Sequence, residues 1–278
     1  MLMGVWIMVG VTFREAVRRK ILWAALLAGG AFLTLFATGM HFQAKDLRRY
    51  NVPPFIRYQV QSSILQVGFY AADVLAVLLA ILTSVDTLSG EIASGTIHAI
   101  ATKPISRWQI LLGKWIGFAG MVAVYVALMF AGVGMVGRVV AGIVTPRIFF
   151  GGALVYLECL LVLTMTVLCG TYFSTLTNGV IVIGLHGLAF IGGWIEQIAA
   201  LTNSPRLVTV GIVSSLLMPS EALWHRASFE MQSSFARTLQ FTPFANVSAP
   251  SKAMIGYAVA YLVIALAIAI RHFRERDL

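Results

Sequence analysis

Ionisable side chains lie within several long apolar stretches of this sequence, where a charge is costly. Glu158 stands deep in one stretch, His186 in the next, and Asp73 in an earlier one. A charged side chain at the centre of a bilayer costs about 2.5–3.5 kcal/mol, so an ionisable group retained there suggests a function. We expect Glu158 and His186 to face one another across neighbouring helices, and Asp73 to lie near a span end within reach of water. The three residues are candidates for a hydrophilic path through a membrane. The alternative is a polar contact that holds helices together.

Patterns that would indicate other chemistry are missing from the sequence. Gly113-Lys114 is followed by Trp115, so it does not complete a phosphate-binding loop of the Walker A type. There is no His-Glu-x-x-His or Gly-x-Ser-x-Gly string, and the five histidines are scattered. Cys159 and Cys169 point in different directions on a helix. We therefore expect no enzymatic activity, no metal site and no cofactor bound by this chain.

The composition indicates a membrane protein. Hydrophobic residues make up 59% of the 278 residues and charged residues only 11%, whereas soluble domains carry about 25% charged residues. The formal net charge is +9, but the basic residues are spread between the apolar stretches and no nucleic-acid-binding motif is present. We assign these residues to contacts with lipid headgroups.

Six apolar segments are long enough to cross a bilayer, since a spanning helix needs about 20 residues. They are continuous rather than alternating, which excludes tilted strands, and lipid leaves the backbone no partner outside a helix. The sequence therefore predicts an all-α, polytopic membrane protein with a single domain, 1–278. The predicted spans are Ile21–Met40, Val67–Leu88, Trp115–Gly137, Phe149–Phe173, Gly179–Ala200 and Ala253–Ile270.

The N-terminal segment 1–20 predicts a helix at the membrane surface. Leu2–Phe13 is apolar but too short to span, and its basic residues follow it, which is the reverse of a signal peptide. At helical spacing, apolar residues fall on one side, which is typical of an interfacial helix. These residues are Trp6, Val9, Phe13 and Val17.

The two halves of the chain are 21–137, with three spans, and 138–278, with three spans and an outer loop at 201–252. Within that loop, Leu207–Met218 is apolar, too short to span and bounded by prolines, so it predicts a re-entrant or interfacial helix.

Six spans place both termini on one side of the membrane. Lys and Arg divide evenly between the two sides, but the C-terminal tail is dense in arginine. We predict that both termini are cytoplasmic and that the protein lies in the cell inner (plasma) membrane.

The segment 89–114, after the second span, predicts a short helix, a break and a second helix. Thr87 or Ser89 can cap the first helix and Glu91 suits its N-terminal end. Pro104 ends it, and Ser106 can cap the next helix. The first helix carries an apolar stripe, which needs the membrane surface or a partner protein to cover it.

These residues resemble a known family. The strings Glu91-x-x-x-Gly95-Thr96-Ile97, Pro104-Ile105-Ser106-Arg107 and Gly113-Lys114 are similar to those of type-2 ATP-binding-cassette exporter permeases. The branch containing the permease of the nitrous-oxide-reductase maturation exporter is the most similar. Phe13-Arg14-Glu15-Ala16-Val17-Arg18-Arg19-Lys20 resembles that family's start, where an elbow helix lies on the inner surface.

The resemblance implies that the chain is the permease subunit of an exporter that forms a homodimer or heterodimer. A cytoplasmic coupling helix near Glu91 would dock on a separate ATPase, which binds ATP and Mg²⁺. Gly95 would permit close approach of the coupling helix to the ATPase, and Thr96 would form a hydrogen bond across that interface. Arg107 and Lys114 would pair with acidic residues of the ATPase or with headgroups.

Two other functions remain compatible with the residues alone. An ion-driven secondary transporter would use Asp73, Glu158 and Asp86, and would be supported by inverted repeats, which we do not find. An intramembrane enzyme would need a catalytic pair, for which no motif argues. Only the segment 89–114 favours the permease over both.

Overall fold

The computed structural model describes residues 3–18, 20–87, 90, 106–202, 205–232 and 250–275. Every regular element in this part of the chain is a helix, which confirms the predicted all-α class. The helices are α1 Met3–Arg18, α2 Lys20–Arg49, α3 Pro54–Ser84, α4 Arg107–Val136 with the π-helical segment Gly137–Ala141, α5 Ile148–Tyr172, α6 Thr175–Thr202, α7 Pro205–Leu217, α8 Ser220–Met231 and α9 Lys252–Glu275.

Six of these helices are long and apolar enough to cross a membrane, namely α2, α3, α4 with its π-helical segment, α5, α6 and α9. Each corresponds to one predicted span, so the six-span prediction is confirmed. The largest difference in bounds is at α3, which begins at Pro54 rather than Val67 and ends at Ser84 rather than Leu88. The first half of α3 carries glutamines and serines, which hid it from a search for apolar runs.

Successive spans run in opposite directions, so the bundle has two ends. At one end, which we call the α1 end, α2, α4 and α6 begin and α3, α5 and α9 finish. The Tyr172 ring of α5 stacks on the His272 ring of α9 there, with centroids 3.8 Å apart. The other end, which we call the far end, carries the starts of α3, α5 and α9 and the finish of α8.

Helix α5 forms the centre of the bundle. It packs against α3, α4, α6, α8 and α9, and most of its residues are buried, whereas few residues of α2 are. A helix that is apolar all round is stable only where other helices or lipid surround it. The bundle core therefore lies around α5, and α2, α6 and α9 leave apolar faces open.

Helix α1 lies across the first half of α4, and two glycines of α4 permit this. A Cβ on Gly113 would lie 2.5 Å from the Met8 Cβ, and one on Gly117 would lie 2.9 Å from the Thr12 Cβ. The helix lies within the predicted segment 1–20 and has two apolar faces. Its inner face packs on α4, while Trp6, 68% exposed, lies on its outer face with Phe13.

Helices α7 and α8 meet at a bend of 108°. Helix α7 contains the predicted segment Leu207–Met218 except its last residue, and it packs against α6. Helix α8 was not predicted from the sequence. It is almost entirely buried against α5 and α6 although it is the least apolar of the helices. Pro219 lies at the bend, where its missing N–H interrupts neither helix.

Candidate functional site

Three helices bring buried carboxyl groups together inside the bundle. Asp73 lies on α3, Glu158 on α5 and Glu221 on α8, and these residues are 2%, 0% and 3% exposed. Their carboxyl groups are near enough to interact electrostatically, Glu158 with both others and Glu221 with Asp73. We call these three residues the acidic cluster.

Glu158 and Asp73 lack hydrogen-bond partners that buried acids usually have. Neither carboxyl oxygen of Glu158 has a hydrogen-bond partner, and Oδ1 of Asp73 has none either. Within the described residues no Lys or Arg forms an ion pair with any of the three. A buried carboxylate without a counter-charge is costly, so the arrangement is suited to holding protons or attracting a cation. No group of residues in the described part of the chain has the geometry of a metal site.

Glycine allows α8 to approach α6 beside the cluster. Glu221 Oε1 lies 3.6 Å from Nε2 of His225, one turn further along α8. Both side chains rest on Gly193 of α6. A Cβ at Gly193 would lie 2.5 Å from the Glu221 Cγ and 2.8 Å from the His225 Nε2.

Aromatic rings surround the acidic cluster on the side of α6 and α8. The Tyr70 ring lies 5.1 Å from Trp224 and 6.5 Å from Phe190, and Phe190 lies 6.2 Å from Trp194. Trp194 also hydrogen-bonds to Tyr70, and Tyr70 lies near all three acids. Aromatic faces attract cations.

In the structure Asp73 lies near Glu158, but His186 contacts Ser220 rather than Glu158. His186 Nδ1 lies 3.2 Å from the Ser220 Oγ at the start of α8. Since neither oxygen of Glu158 has a hydrogen-bond partner, no hydrogen bond joins Glu158 to His186.

The prediction that Asp73 lies near a span end, within reach of water, is wrong. Because α3 begins at Pro54, Asp73 is in the interior of the helix and buried. Its burial places it in the acidic cluster rather than at the membrane boundary.

Sequence reasoning missed Glu221 and His225. The signal available was a helix start, with Ser220 and Glu221 after Pro219. Two pairs of ionisable residues then follow at i,i+4 spacing, Glu221 with His225 and Arg226 with Glu230. A search for apolar runs does not detect a helix of this polar composition.

Of the predicted coupling residues, Glu91, Gly95 and Thr96 lie outside the described residues. Arg107 begins α4 and is half-buried, whereas Lys114 is 3% exposed. Ser106 is the N-cap of α4, as predicted. Its N–H and its hydroxyl both donate to Gln109 Oε1, at 3.0 and 3.2 Å.

The residues at the end of α3 are tied to the start of α6. The Asn178 side-chain amide donates to the carbonyl oxygens of Val85, at 3.1 Å, and Thr166, at 3.0 Å. The Thr175 hydroxyl donates to Asp86 Oδ1 at 3.2 Å. Three hydrogen bonds therefore connect the end of α3 and the residues that follow it to α6 and α5.

A family model described as "ABC-2 family transporter protein" matches residues 6–278. A search of curated proteins finds no match.

Proposed function

The chain belongs to the ABC-2 family of transporter proteins, as the membrane-spanning permease component, and we propose that it works as an exporter. Permeases of this family do not hydrolyse ATP themselves and pair with ATP-binding-cassette ATPase subunits. In our proposal the partner ATPase binds ATP and Mg²⁺ and drives this chain. Family membership favours this function over the ion-driven transporter and the intramembrane enzyme. The strings around Glu91 and Pro104 support assignment to the branch of the nitrous-oxide-reductase maturation exporter.

The connection between α3 and α6 at the α1 end is the observation that carries the coupling proposal. Asp86 lies two residues after the end of α3 and precedes the predicted coupling helix in the sequence, and its carboxylate accepts a hydrogen bond from Thr175 of α6. An ATPase that docks on Glu91, Gly95 and Thr96 would move α6 through this bond and through Asn178. We therefore assign the α1 end, with both termini, to the cytoplasmic side of the inner membrane.

The two basic residues of α4 take different parts in this proposal. Arg107 is half-buried and is the first residue of α4, so it can contact an acidic residue of the ATPase or a headgroup. Lys114 is buried and lies one residue from Gly113, on which α1 packs. We propose that Lys114 acts by holding α1 and α4 in position, so that the ATPase moves them as a unit.

We propose that the acidic cluster lines the translocation path. Asp73, Glu158 and Glu221 come from three different helices, so separation of α3, α5 and α8 would open the cluster to water. The Glu158 carboxyl group has no hydrogen bond to lose when the helices separate, and the contact of Glu221 with His225 lies within α8. His186, bonded to the first residue of α8, would move with it.

A second permease is expected to complete the path, as a homodimer or a heterodimer. Helix α3 supports this because it exposes a stripe of apolar residues at helical spacing although most of the helix is buried. These residues are Val67, Val74, Leu78 and Leu82. Helix α6 exposes Val180, Ile183 and Ile191, so both helices offer a surface to a partner chain.

Copurification from the native membrane tests the proposal. The tagged full-length chain is extracted in mild detergent, and its partners are identified by mass spectrometry. We expect an ATPase with Walker motifs to copurify with the native chain. Gly95→Trp should abolish this because the bulky ring obstructs the docking helix.

Gly39→Trp is the matched control. Gly39 lies in the far-end half of α2, and a Cβ there has no neighbour within 4 Å. This variant should retain the ATPase. Absence of an ATPase from the correctly folded native chain would contradict the proposed function, and retention by Gly95→Trp would contradict the docking site.

A further inference from the structure

A basic cleft opens at the far end of the bundle, between the start of α5, the end of α8 and the start of α9. Its volume is about 580 Å³ and its lining includes Arg147, Arg226, Glu230 and Lys252, with Phe150 and Ile255. We call these six residues the basic cleft. It lies at the opposite end from the proposed ATPase site and shares no residue with the acidic cluster.

The charges of the basic cleft do not balance. Arg147 Nη1 lies 2.6 Å from Glu230 Oε2, and Arg226 Nη2 hydrogen-bonds to Glu230 Oε1. Burial alone would raise the pKa of Glu230, but the hydrogen bonds and charges of the two arginines outweigh it and hold that pKa below its usual range. Glu230 is therefore ionised at neutral pH, and both its oxygens are used. Three cations facing one carboxylate leave an excess of two positive charges.

The arginines are held in place before any ligand arrives. Arg226, with a side chain 13% exposed, also donates from Nη1 to the Pro250 carbonyl oxygen at 3.2 Å and lies over the Phe229 ring at 5.7 Å. Its Nε is buried and has no hydrogen-bond partner. The ion pair with Glu230 also fixes Arg147, whose φ of 47° is in the left-handed region that a non-glycine residue rarely adopts.

Two cations of the basic cleft remain available to an anion. The Arg147 side chain is 70% exposed despite its ion pair, and Lys252 forms no hydrogen bond or ion pair with the described residues. Arg147 caps α5 and Lys252 is the first residue of α9. The free backbone N–H groups of the two helix starts add partial positive charge.

The cleft is polar at the membrane boundary and apolar one turn deeper. Arg147 and Lys252 stand where two spans begin, and Phe150 and Ile255 follow each by three residues. Phe150 is 45% exposed. A free phosphate would use only the basic part, whereas a phospholipid would use both parts. We propose that the basic cleft binds an anionic phospholipid, with its phosphodiester on Arg147 and Lys252 and an acyl chain against Phe150 and Ile255.

Lipid titration followed by native mass spectrometry tests this proposal. The delipidated full-length protein is titrated with phosphatidylglycerol, with phosphatidylcholine and with glycerol 3-phosphate, which has no acyl chain. Phosphatidylglycerol should bind more tightly than either of the others. Lys252→Gln should weaken phosphatidylglycerol binding about fivefold, as expected for one basic residue near an anionic headgroup.

Arg271→Gln is the matched control, because it removes a charge at the other end of the same helix, where the side chain is 81% exposed. This variant should bind phosphatidylglycerol as the native chain does. A phosphatidylglycerol with a diazirine in its acyl chain should label Phe150 or Ile255 after illumination.

Three results would overturn the proposal. Equal affinity for phosphatidylglycerol and phosphatidylcholine would show lipid binding without charge recognition. Equal loss in Lys252→Gln and Arg271→Gln would show a general effect of net charge. Glycerol 3-phosphate binding as tightly as phosphatidylglycerol would identify a site for a free anion. None of these results depends on the partner ATPase.

Discussion

Two buried glutamates of the same permease have opposite surroundings. Glu158, at the centre of the bundle, has no hydrogen-bond partner on either carboxyl oxygen. Glu230, at the far end, uses both oxygens in ion pairs with arginines. A paired carboxylate holds elements together, whereas an unpaired one contributes nothing to stability and is retained at a cost. Glu230 therefore stabilises the α5–α8 junction, whereas for Glu158 we propose a role in transport.

The largest effect on stability is expected from Glu230→Gln. The amide cannot neutralise Arg226, which is mostly buried, so we expect a loss of about 2–3 kcal/mol. For a chain of this size that lowers the apparent melting temperature by roughly 4–12 °C, measured by tryptophan fluorescence in detergent. Glu275→Gln is the control, since its pair with Arg271 is exposed and should contribute less than about 1 kcal/mol. Equal losses in the two variants would contradict the role assigned to Glu230.

Acid should remove the same contribution from the native protein. The pKa of Glu230 lies below its usual 4.5 in the folded state, so its stabilising effect is complete above pH 4.5 and is lost as the pH falls through the lower, folded value. The difference in melting temperature between the native chain and Glu230→Gln should therefore shrink below pH 4.5. A difference that is constant from pH 7 to pH 3 would contradict this.

A smaller effect is expected from Gly193→Ala. The added methyl group would meet Glu221 and His225 and push α8 from α6, at a cost of about 1–2 kcal/mol for overpacking. Gly184→Ala, in the same helix with no neighbour within 4 Å, should instead stabilise α6 by up to about 1 kcal/mol. Melting temperatures of the two variants should thus move in opposite directions. A shift of the same sign in both would show that Gly193 does not set the distance between α6 and α8.

The smallest effect on stability is expected from Glu158→Gln. The amide has nearly the shape of the acid, and no ion pair is lost, so stability should change by less than about 1 kcal/mol. Transport should nevertheless be strongly reduced if the carboxyl group handles protons or a cationic substrate. Nucleotide-driven uptake into inverted vesicles, compared at equal protein amounts, measures this. A variant that transports at the native rate would remove Glu158 from the proposed path.

The sequence was sufficient for the features that follow from run length and local capping. Six apolar runs identified six spans because a bilayer demands about 20 such residues in succession. Ser106 was identified as the N-cap of α4 because capping depends on neighbouring residues alone. The short apolar run at Leu207–Met218 likewise became α7.

The candidate site could not be predicted in the same way because it depends on contacts between distant helices. Helix α8 is polar in composition, and it is buried only because α5 and α6 cover it. From the sequence, Asp73 falls near a span end, because the glutamines and serines in the N-terminal half of α3 interrupt the apolar run. The meeting of Asp73, Glu158 and Glu221 is a property of tertiary packing, which spacing along the chain does not encode.

Cys159 provides a natural reporter for the proposed path. It is fully buried, and its thiol lies near enough to Asp73 and Glu158 to interact with them electrostatically. Replacing Cys169, the other cysteine, by serine leaves Cys159 as the single thiol. The variant would be reconstituted in liposomes with its copurified ATPase and treated with a small hydrophilic thiol reagent.

The rate of Cys159 modification is the measurement that tests the account most directly. Modification should be very slow without nucleotide and much faster during ATP hydrolysis, because separation of α3, α5 and α8 would admit water to the acidic cluster. An ATPase variant that binds ATP but cannot hydrolyse it should hold the permease in one state. Cys159 should then be modified at a single rate that differs from the rate during ATP hydrolysis. If Cys159 stays protected while ATP is hydrolysed and substrate is transported at the native rate, the acidic cluster does not lie on the path.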